Sequence, residues 1–117
     1  MNTVLAFDFG ASTGRALLGH FDGEKITYDE VHRFDNVPIK ENKRIAWDFF
    51  ALLREVENTI AFCGKVDSLA FDTWGVDYGL LTENDYLMSL PTNYRDPRTN
   101  GMPEKVFQQI SPEKLYM

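Results

Sequence analysis

The chain has 117 residues, of which 44% are hydrophobic and 26% charged, and its formal net charge at pH 7 is −6. This length suits one domain with a buried core, and the composition excludes disordered and collagen-like proteins. The 12 basic residues are scattered among 18 acidic ones, so nucleic acids and anionic membranes are unfavourable partners. The single cysteine, Cys63, excludes an internal disulfide, and no apolar segment is long enough to cross a bilayer. Because its start lacks the pattern of a signal peptide, we expect a cytoplasmic protein.

Three strands are predicted first along the chain. The segment TVLAFDFG is apolar on both faces except at Asp8, which is typical of a central strand. The segment GRALLGHF resumes an extended pattern, and Asp22 with Gly23 is a strong hairpin signal before the alternating segment KITYDEVHRF. These three segments are expected to form an antiparallel meander.

A helix and further strands are predicted after a polar loop over residues 35–43. Asp48 is a suitable N-cap for a helix that runs from Phe49 to Cys63 and ends at Gly64. The segment DSLAFDT then predicts a fourth strand, and VDYGLLT predicts a fifth, followed by a turn around residues 83–85.

The order strand, strand, strand, helix, strand predicts an α/β fold of the ribonuclease H-like class, with the fourth strand parallel to the first. In such a mixed sheet these two strands lie side by side, and their carboxyl ends face one cleft. Asp8 and Asp72 occupy those ends, and each precedes an irregular turn, at residues 10–14 and 73–75. The alternative interpretation is that each aspartate only caps its own turn.

The loop GASTG, residues 10–14, lacks the ending of a P-loop and the spacing of a dinucleotide-binding fingerprint. Its small residues allow backbone amides to approach an anion, and Ser12 and Thr13 add hydroxyl donors, a composition that suits phosphate. The alternative is a tight turn without a ligand. A carboxylate repels phosphate unless a divalent cation lies between them, so Asp8 favours a site for Mg²⁺ and phosphate.

The segments FDFGASTGR, DTWGVDYGLL and YRDPRTNG resemble the N-terminal part of the FGGY carbohydrate kinases, which belong to the superfamily of actin, hexokinase and Hsp70. The phosphate hairpin is shared across that superfamily, whereas the other two segments are more specific. The resemblance implies that the ATP phosphates are bound by the first loop, at Gly10, Ala11, Ser12, Thr13, Gly14 and Arg15. It further implies that Asp8 holds Mg²⁺ through water and that Gly75 contacts the sugar. Trp74 and Asp77 would lie in the same sugar pocket.

Simpler interpretations of the sugar-pocket residues exist. Taken alone, Trp74 would be a core aromatic residue and Asp77 a solvated strand residue. The charged residues Arg95, Asp96 and Arg98 either line the same cleft or brace their loop by ion pairing.

The resemblance implies transfer of the γ-phosphoryl group of ATP to the 1-hydroxyl of L-rhamnulose. The alternatives are a kinase for L-fuculose or another ketose, and a non-enzymatic actin-like or Hsp70-like ATP-binding protein. Family members have two lobes, so residues 1–117 are expected to form part of the N-terminal lobe and to be inactive alone. The general base and the adenosine pocket are expected beyond Met117.

The predicted fold has one further consequence for the chain in isolation. A single long helix covers only one face of the central strands, so the opposite face is expected to stay apolar and open. Leu69 and Phe71 are expected to extend this open face. The chain is therefore expected to self-associate through it.

Overall fold

The computed structural model describes residues 2–117, and its elements form a mixed α/β fold. The strands are β1 (Asn2–Phe9), β2 (Thr13–Phe21), β3 (Ile26–Asp35), β4 (Ile39–Glu41), β5 (Arg44–Ala46) and β6 (Ser68–Asp72). The helices are α1 (Phe49–Cys63), α2 (Met102–Phe107) and α3 (Pro112–Leu115), with a short 3₁₀ turn at Pro97–Thr99. Within residues 2–117, no helix combines the length and the apolar character needed to cross a membrane.

The four longest strands form one sheet in the order β3-β2-β1-β6. The strands β1, β2 and β3 are antiparallel neighbours, and β6 pairs with β1 in parallel over Val4–Asp8. The predicted meander and the parallel fourth strand are therefore confirmed. The register between β2 and β3 shifts at Ala16 and Leu17, where Val31 of β3 is left without an opposite residue. This bulge interrupts the strict alternation predicted for β3.

The predicted caps of α1 are also confirmed. The Asp48 side chain accepts a hydrogen bond from the Ala51 amide at 3.0 Å, and Gly64 follows the helix with a φ of 70°. The helix lies over the sheet face that carries Leu5 and Phe7, both of which are almost fully buried. These two side chains form the centre of the core.

On β1, the opposite face of the sheet carries Val4 and Ala6. Leu69 and Phe71 are in register with Leu5 and Phe7, so they lie on the face that α1 covers and do not extend the opposite one. The prediction about these two residues is wrong. They remain exposed because β6 is the edge strand farthest from β3, and α1 contacts the sheet on the β3 side, where His32 is hydrogen-bonded to Glu55.

Two local predictions differ from the structure. Residues 76–82 do not form a strand; they contain one isolated bridge, between Leu81 and Leu87, across the predicted turn. The polar loop over residues 35–43 contains β4, which forms a hairpin with β5, and the connecting residues Asn42 and Lys43 both have positive φ angles. Two-residue hairpins favour a tight turn in which both central residues have positive φ angles.

Candidate functional site

The loop at residues 10–14 is a compact turn between β1 and β2. The Gly10 amide donates a hydrogen bond to the Thr13 carbonyl at 2.9 Å. A Cβ atom at Gly10 would lie 2.6 Å from that carbonyl oxygen, and one at Gly14 would lie 2.3 Å from the ring of Phe34. Both distances are too short for a side chain. The loop therefore needs glycine at these positions to provide space, since neither residue has a positive φ.

Asp8 and Arg15 form an ion pair at the base of this loop. They are register partners on β1 and β2, and two guanidinium nitrogens of Arg15 approach Asp8 Oδ2 at 2.8 and 2.9 Å. The two side chains are 42% and 46% exposed, respectively. Exposed pairs contribute only about 0–1 kcal/mol to stability, so this ion pair is easily exchanged for other partners.

A second carboxylate lies beside Asp8 on the neighbouring strand. Asp72 is the register partner of Asp8 in the parallel pairing of β1 with β6, so both side chains lie on one face of the sheet. This confirms that the two aspartates occupy adjacent strand ends. Among residues 2–117 the structure contains no group of three or more His, Cys, Asp or Glu side chains that could hold a metal ion.

Asn36, directly after β3, contacts the loop from the side of β3. Its amide donates to the Ser12 carbonyl and its side-chain Nδ2 donates to the Gly10 carbonyl, both at 2.8 Å. Its side chain is buried, and Oδ1 has no hydrogen-bond partner within the described residues. Sequence analysis did not identify this residue, because it lies in a polar stretch 26 residues from Gly10.

The segment that follows β6 is organised by aromatic residues. The rings of Trp74 and Trp47 are stacked, with centroids 3.7 Å apart and planes inclined by 10°. Trp47 Nε1 donates to Asp77 Oδ2 at 2.6 Å, and the Tyr94 amide donates to the same oxygen at 3.1 Å. Asp77 is therefore a hydrogen-bonded residue of this cluster, which excludes its interpretation as a solvated strand residue.

Trp47 was not identified from the sequence either. It is 2% exposed and lies just before the N-cap of α1. In the sequence it is a lone aromatic residue before Asp48, and no local pattern indicates its partners at positions 74 and 77. Only the folded chain brings these residues together.

A largely apolar cavity of about 400 Å³ lies between this cluster and α1. Trp47, Trp74 and Asp77 line it together with Phe71 of β6 and Leu52 of α1. Gly75 is in open space, because a Cβ atom built there would meet no atom within 4 Å. The cluster thus combines a flat aromatic surface, a carboxylate and an unobstructed stretch of backbone.

The structure distinguishes the two interpretations of Asp96. Its carboxylate is buried and accepts hydrogen bonds from the backbone amides of Ile45, at 2.7 Å, and Arg98, at 2.9 Å. These backbone bonds, that of Ile45 first, lower the pKa of the Asp96 carboxyl below its ordinary value. Asp96 braces its loop against β5, and it does so through backbone amides.

Two arginines, one in this loop and one in β5, make further contacts here. Arg95 lies over the ring of Tyr94, with its guanidinium carbon 5.5 Å from the ring centroid. Arg44 of β5 donates hydrogen bonds to the Thr92 hydroxyl, at 3.1 Å, and to the Leu90 carbonyl. The loop is thus attached to β5 by several polar contacts.

The loops at residues 10–14 and 73–77 lie at the same end of the sheet. They follow β1 and β6, which are parallel neighbours. Phe9, the last residue of β1, contacts Trp74 with ring centroids 6.3 Å apart. The sheet therefore places residues 10–14 and 73–77 next to each other, as expected for the carboxyl ends of adjacent parallel strands.

The chain is similar to curated rhamnulokinases, although no protein-family model matches it. The rhamnulokinase of Oceanobacillus iheyensis is 44% identical over 97% of this chain and 25% of its own length. The rhamnulokinase of Halalkalibacterium halodurans is 40% identical over 100% of this chain and 26% of its own. The chain thus spans about a quarter of the length of the curated relatives that it matches.

Solved structures show the same fold at much lower sequence identity. A carbohydrate kinase from Novosphingobium aromaticivorans matches 96% of this chain, and 24% of its own, with a TM-score of 0.72 and 16% identity. A ligand-bound xylulose kinase from Lactobacillus acidophilus matches 92% of this chain, and 24% of its own, with a TM-score of 0.63 and 12% identity. The predicted α/β class with the actin- and hexokinase-like fold is therefore confirmed. Identities of 40–44% over nearly the whole chain, together with this fold, show that the chain matches an N-terminal part of a rhamnulokinase-like FGGY carbohydrate kinase.

Proposed function

We propose that this chain forms the phosphate-binding part and one side of the sugar pocket of a kinase that transfers the γ-phosphoryl group of ATP to the 1-hydroxyl of L-rhamnulose. The names of the relatives support the choice of sugar. The observation that carries the proposal is the position of the two loops, which follow neighbouring parallel strands and meet through the contact of Phe9 with Trp74. Phosphoryl transfer requires a phosphate site and an acceptor site side by side.

The loop at residues 10–14 is proposed to bind the ATP phosphates through its backbone amides and the hydroxyls of Ser12 and Thr13. Both side chains are exposed to solvent. Arg15 adds a positive charge. Because its ion pair with Asp8 is exposed, a phosphate group can replace the carboxylate as its partner.

Asp8 is proposed to hold Mg²⁺ through water. Magnesium usually keeps several waters and binds through one or two carboxylates together with substrate phosphates, so it needs no larger cluster of protein ligands. Asp8 fits this role, since its side chain is partly exposed and both contacts from Arg15 use Oδ2. When bound, the ion would offset the negative charge of the phosphates.

The segment at residues 73–77 is proposed to form one side of the sugar pocket. A sugar needs a flat apolar surface and polar groups that pair with its hydroxyls. Trp74 supplies the flat surface, and since its Nε1 is buried, only the ring can meet the sugar. Both hydrogen bonds received by Asp77 use Oδ2, so Oδ1 is the oxygen proposed to accept from a sugar hydroxyl. The open backbone at Gly75 allows close approach.

The remaining parts of the active site are proposed to lie in the part of such a kinase that this chain does not span. The chain corresponds to about a quarter of its relatives, and we assign residues 1–117 to part of the N-terminal lobe. The general base and the adenosine pocket are assigned to the other three quarters. The chain alone is therefore expected to be inactive, and the intact kinase is expected in the cytoplasm.

The test is a kinase assay on the intact protein that contains this chain. ADP release is measured with L-rhamnulose, L-fuculose and other ketoses, and the position of the new phosphate is read by phosphorus NMR. We expect the highest kcat/KM with L-rhamnulose and phosphorylation at the 1-hydroxyl. A higher kcat/KM with another ketose would overturn the choice of substrate. ATP binding without phosphorylation of any sugar would favour a non-enzymatic ATP-binding protein.

A further inference from the structure

Asn36 makes two hydrogen bonds to the loop at residues 10–14, and both go to backbone carbonyls. Its Nδ2 donates to the Gly10 carbonyl and its backbone amide donates to the Ser12 carbonyl, each at 2.8 Å. The residue lies just after β3, so its own backbone is fixed by the sheet. Asn36 therefore ties the turn to a third strand, in addition to the two strands that the turn connects.

The direction of these bonds determines which way the loop amides point. All peptide bonds of residues 2–117 are trans, and in a planar trans peptide the C=O and the following N–H point in opposite directions. Because the Gly10 carbonyl points at Asn36, the Ala11 amide points away from it. The same holds for the Ser12 carbonyl and the Thr13 amide. Asn36 thus orients two N–H groups toward the side of the loop opposite to itself.

For folding alone, asparagine is a costly choice at this position. The side chain is 4% exposed, and Oδ1 is buried without a hydrogen-bond partner among the described residues. A buried acceptor without a partner is unfavourable. Buried polar groups without partners are expected mainly at functional sites. We therefore expect Asn36 to serve the function of the loop that it holds.

We propose that Asn36 is a positioning residue for nucleotide binding. It holds the carbonyls of Gly10 and Ser12 on its own side, so that the amides of Ala11 and Thr13 are preoriented toward the ATP phosphates. An anion bound by backbone amides needs those amides to point the same way, and a loop already held in that geometry does not have to be ordered on binding. This inference rests on the proposed function of the loop.

The test uses the intact kinase with Asn36→Asp, and with Asn58→Asp as the matched control. The first substitution replaces the Nδ2 donor with an acceptor next to the Gly10 carbonyl. The second makes the same chemical change on the exposed surface of α1. We expect Asn36→Asp to raise the KM for ATP by roughly tenfold while the KM for the sugar changes less than about twofold. Asn58→Asp should leave both values unchanged.

A purely structural role would give a different result. General destabilisation would lower the melting temperature and affect both substrates, whereas a positioning role affects the KM for ATP selectively. If Asn36→Asp does not fold, Asn36→Ala serves instead, with a smaller increase in the KM for ATP expected because it adds no charge. A folded variant with a wild-type KM for ATP would overturn the inference while leaving the proposed function intact. Failure of the wild-type protein to use ATP would instead overturn the proposed function itself.

Discussion

The two candidate binding loops are held in place by different means. Residues 10–14 are fixed mainly by backbone hydrogen bonds, within the turn itself and from Asn36. Residues 73–77 are fixed by side chains, through the stack of Trp74 on Trp47 and the hydrogen bond from Trp47 to Asp77. The first loop lies between central strands, whereas the second follows the edge strand β6.

This difference matches the proposed roles of the loops. A phosphate site made of backbone amides depends on backbone geometry and tolerates little movement. A sugar site distinguishes substrates by side-chain shape and by the pairing of polar groups. We therefore expect substitutions near the first loop to affect turnover or folding strongly. Substitutions near the second loop should mainly affect sugar affinity, with smaller effects.

The largest effect is expected for Asp8→Asn in the intact kinase. The change keeps the shape of the side chain but weakens its interaction with Mg²⁺, so kcat should fall by on the order of a hundredfold or more. Stability should change by at most about 1 kcal/mol, because the ion pair with Arg15 is exposed. Asp29→Asn, the same change at an exposed position on β3, is the control. Wild-type turnover in Asp8→Asn would show that Asp8 is only a turn residue.

The next largest effect is expected for Gly14→Ala. A Cβ atom there would lie 2.3 Å from the ring of Phe34, so the strand or the ring must move, at a cost of about 1–3 kcal/mol in the free energy of unfolding. Urea denaturation measures this. Gly19→Ala on the same strand is the matched control, because its Cβ atom would lie 3.7 Å from its nearest neighbour. Adding Phe34→Leu should restore part of the stability lost in Gly14→Ala, and equal stability of both alanine variants would contradict the packing argument.

The elements around the first loop could be predicted because their signals are local. The apolar run of β1, the Asp-Gly turn at residues 22 and 23, and the cap at Asp48 each lie within a few residues of the structure that they determine. The pairing of Asp8 with Asp72 then followed from the element order. Asn36 was missed because its partners, Gly10 and Ser12, are distant in the sequence.

The region after β6 could not be predicted in the same way. Val76, Tyr78 and Leu80 alternate as in a strand, which led to the incorrect fifth strand. A strand also needs a partner, and within residues 2–117 this segment pairs only through the bridge from Leu81 to Leu87. Its arrangement depends on Trp47, which no local pattern connects to it. Tertiary contacts therefore determine this loop.

A smaller effect is expected for Trp47→Phe. Phenylalanine can still stack on Trp74, but the donor to the Asp77 carboxylate is lost, which should cost about 1.5 kcal/mol in the free energy of unfolding. Faster amide hydrogen exchange in residues 73–77 should accompany this loss. Trp74→Phe is the comparison for stability, since Trp74 Nε1 donates to no atom of the described residues. Equal losses in both variants would show that ring packing, and not the hydrogen bond to Asp77, holds this loop.

The smallest change in structure, and the most selective change in function, is expected for Gly75→Ala. The new methyl group would meet no atom within 4 Å and the φ angle is not positive, so the free energy of unfolding should stay within about 0.5 kcal/mol of the wild-type value. If the sugar contacts this backbone, the methyl group occupies space that the sugar needs, and the KM for the sugar should rise by roughly fivefold. The KM for ATP should not change, because the phosphate loop follows β1 whereas Gly75 follows β6.

Gly19→Ala, remote from both loops, controls for the added methyl group. An unchanged KM for the sugar would place the sugar away from Gly75, and a parallel rise in the KM for ATP would show that the two loops are coupled.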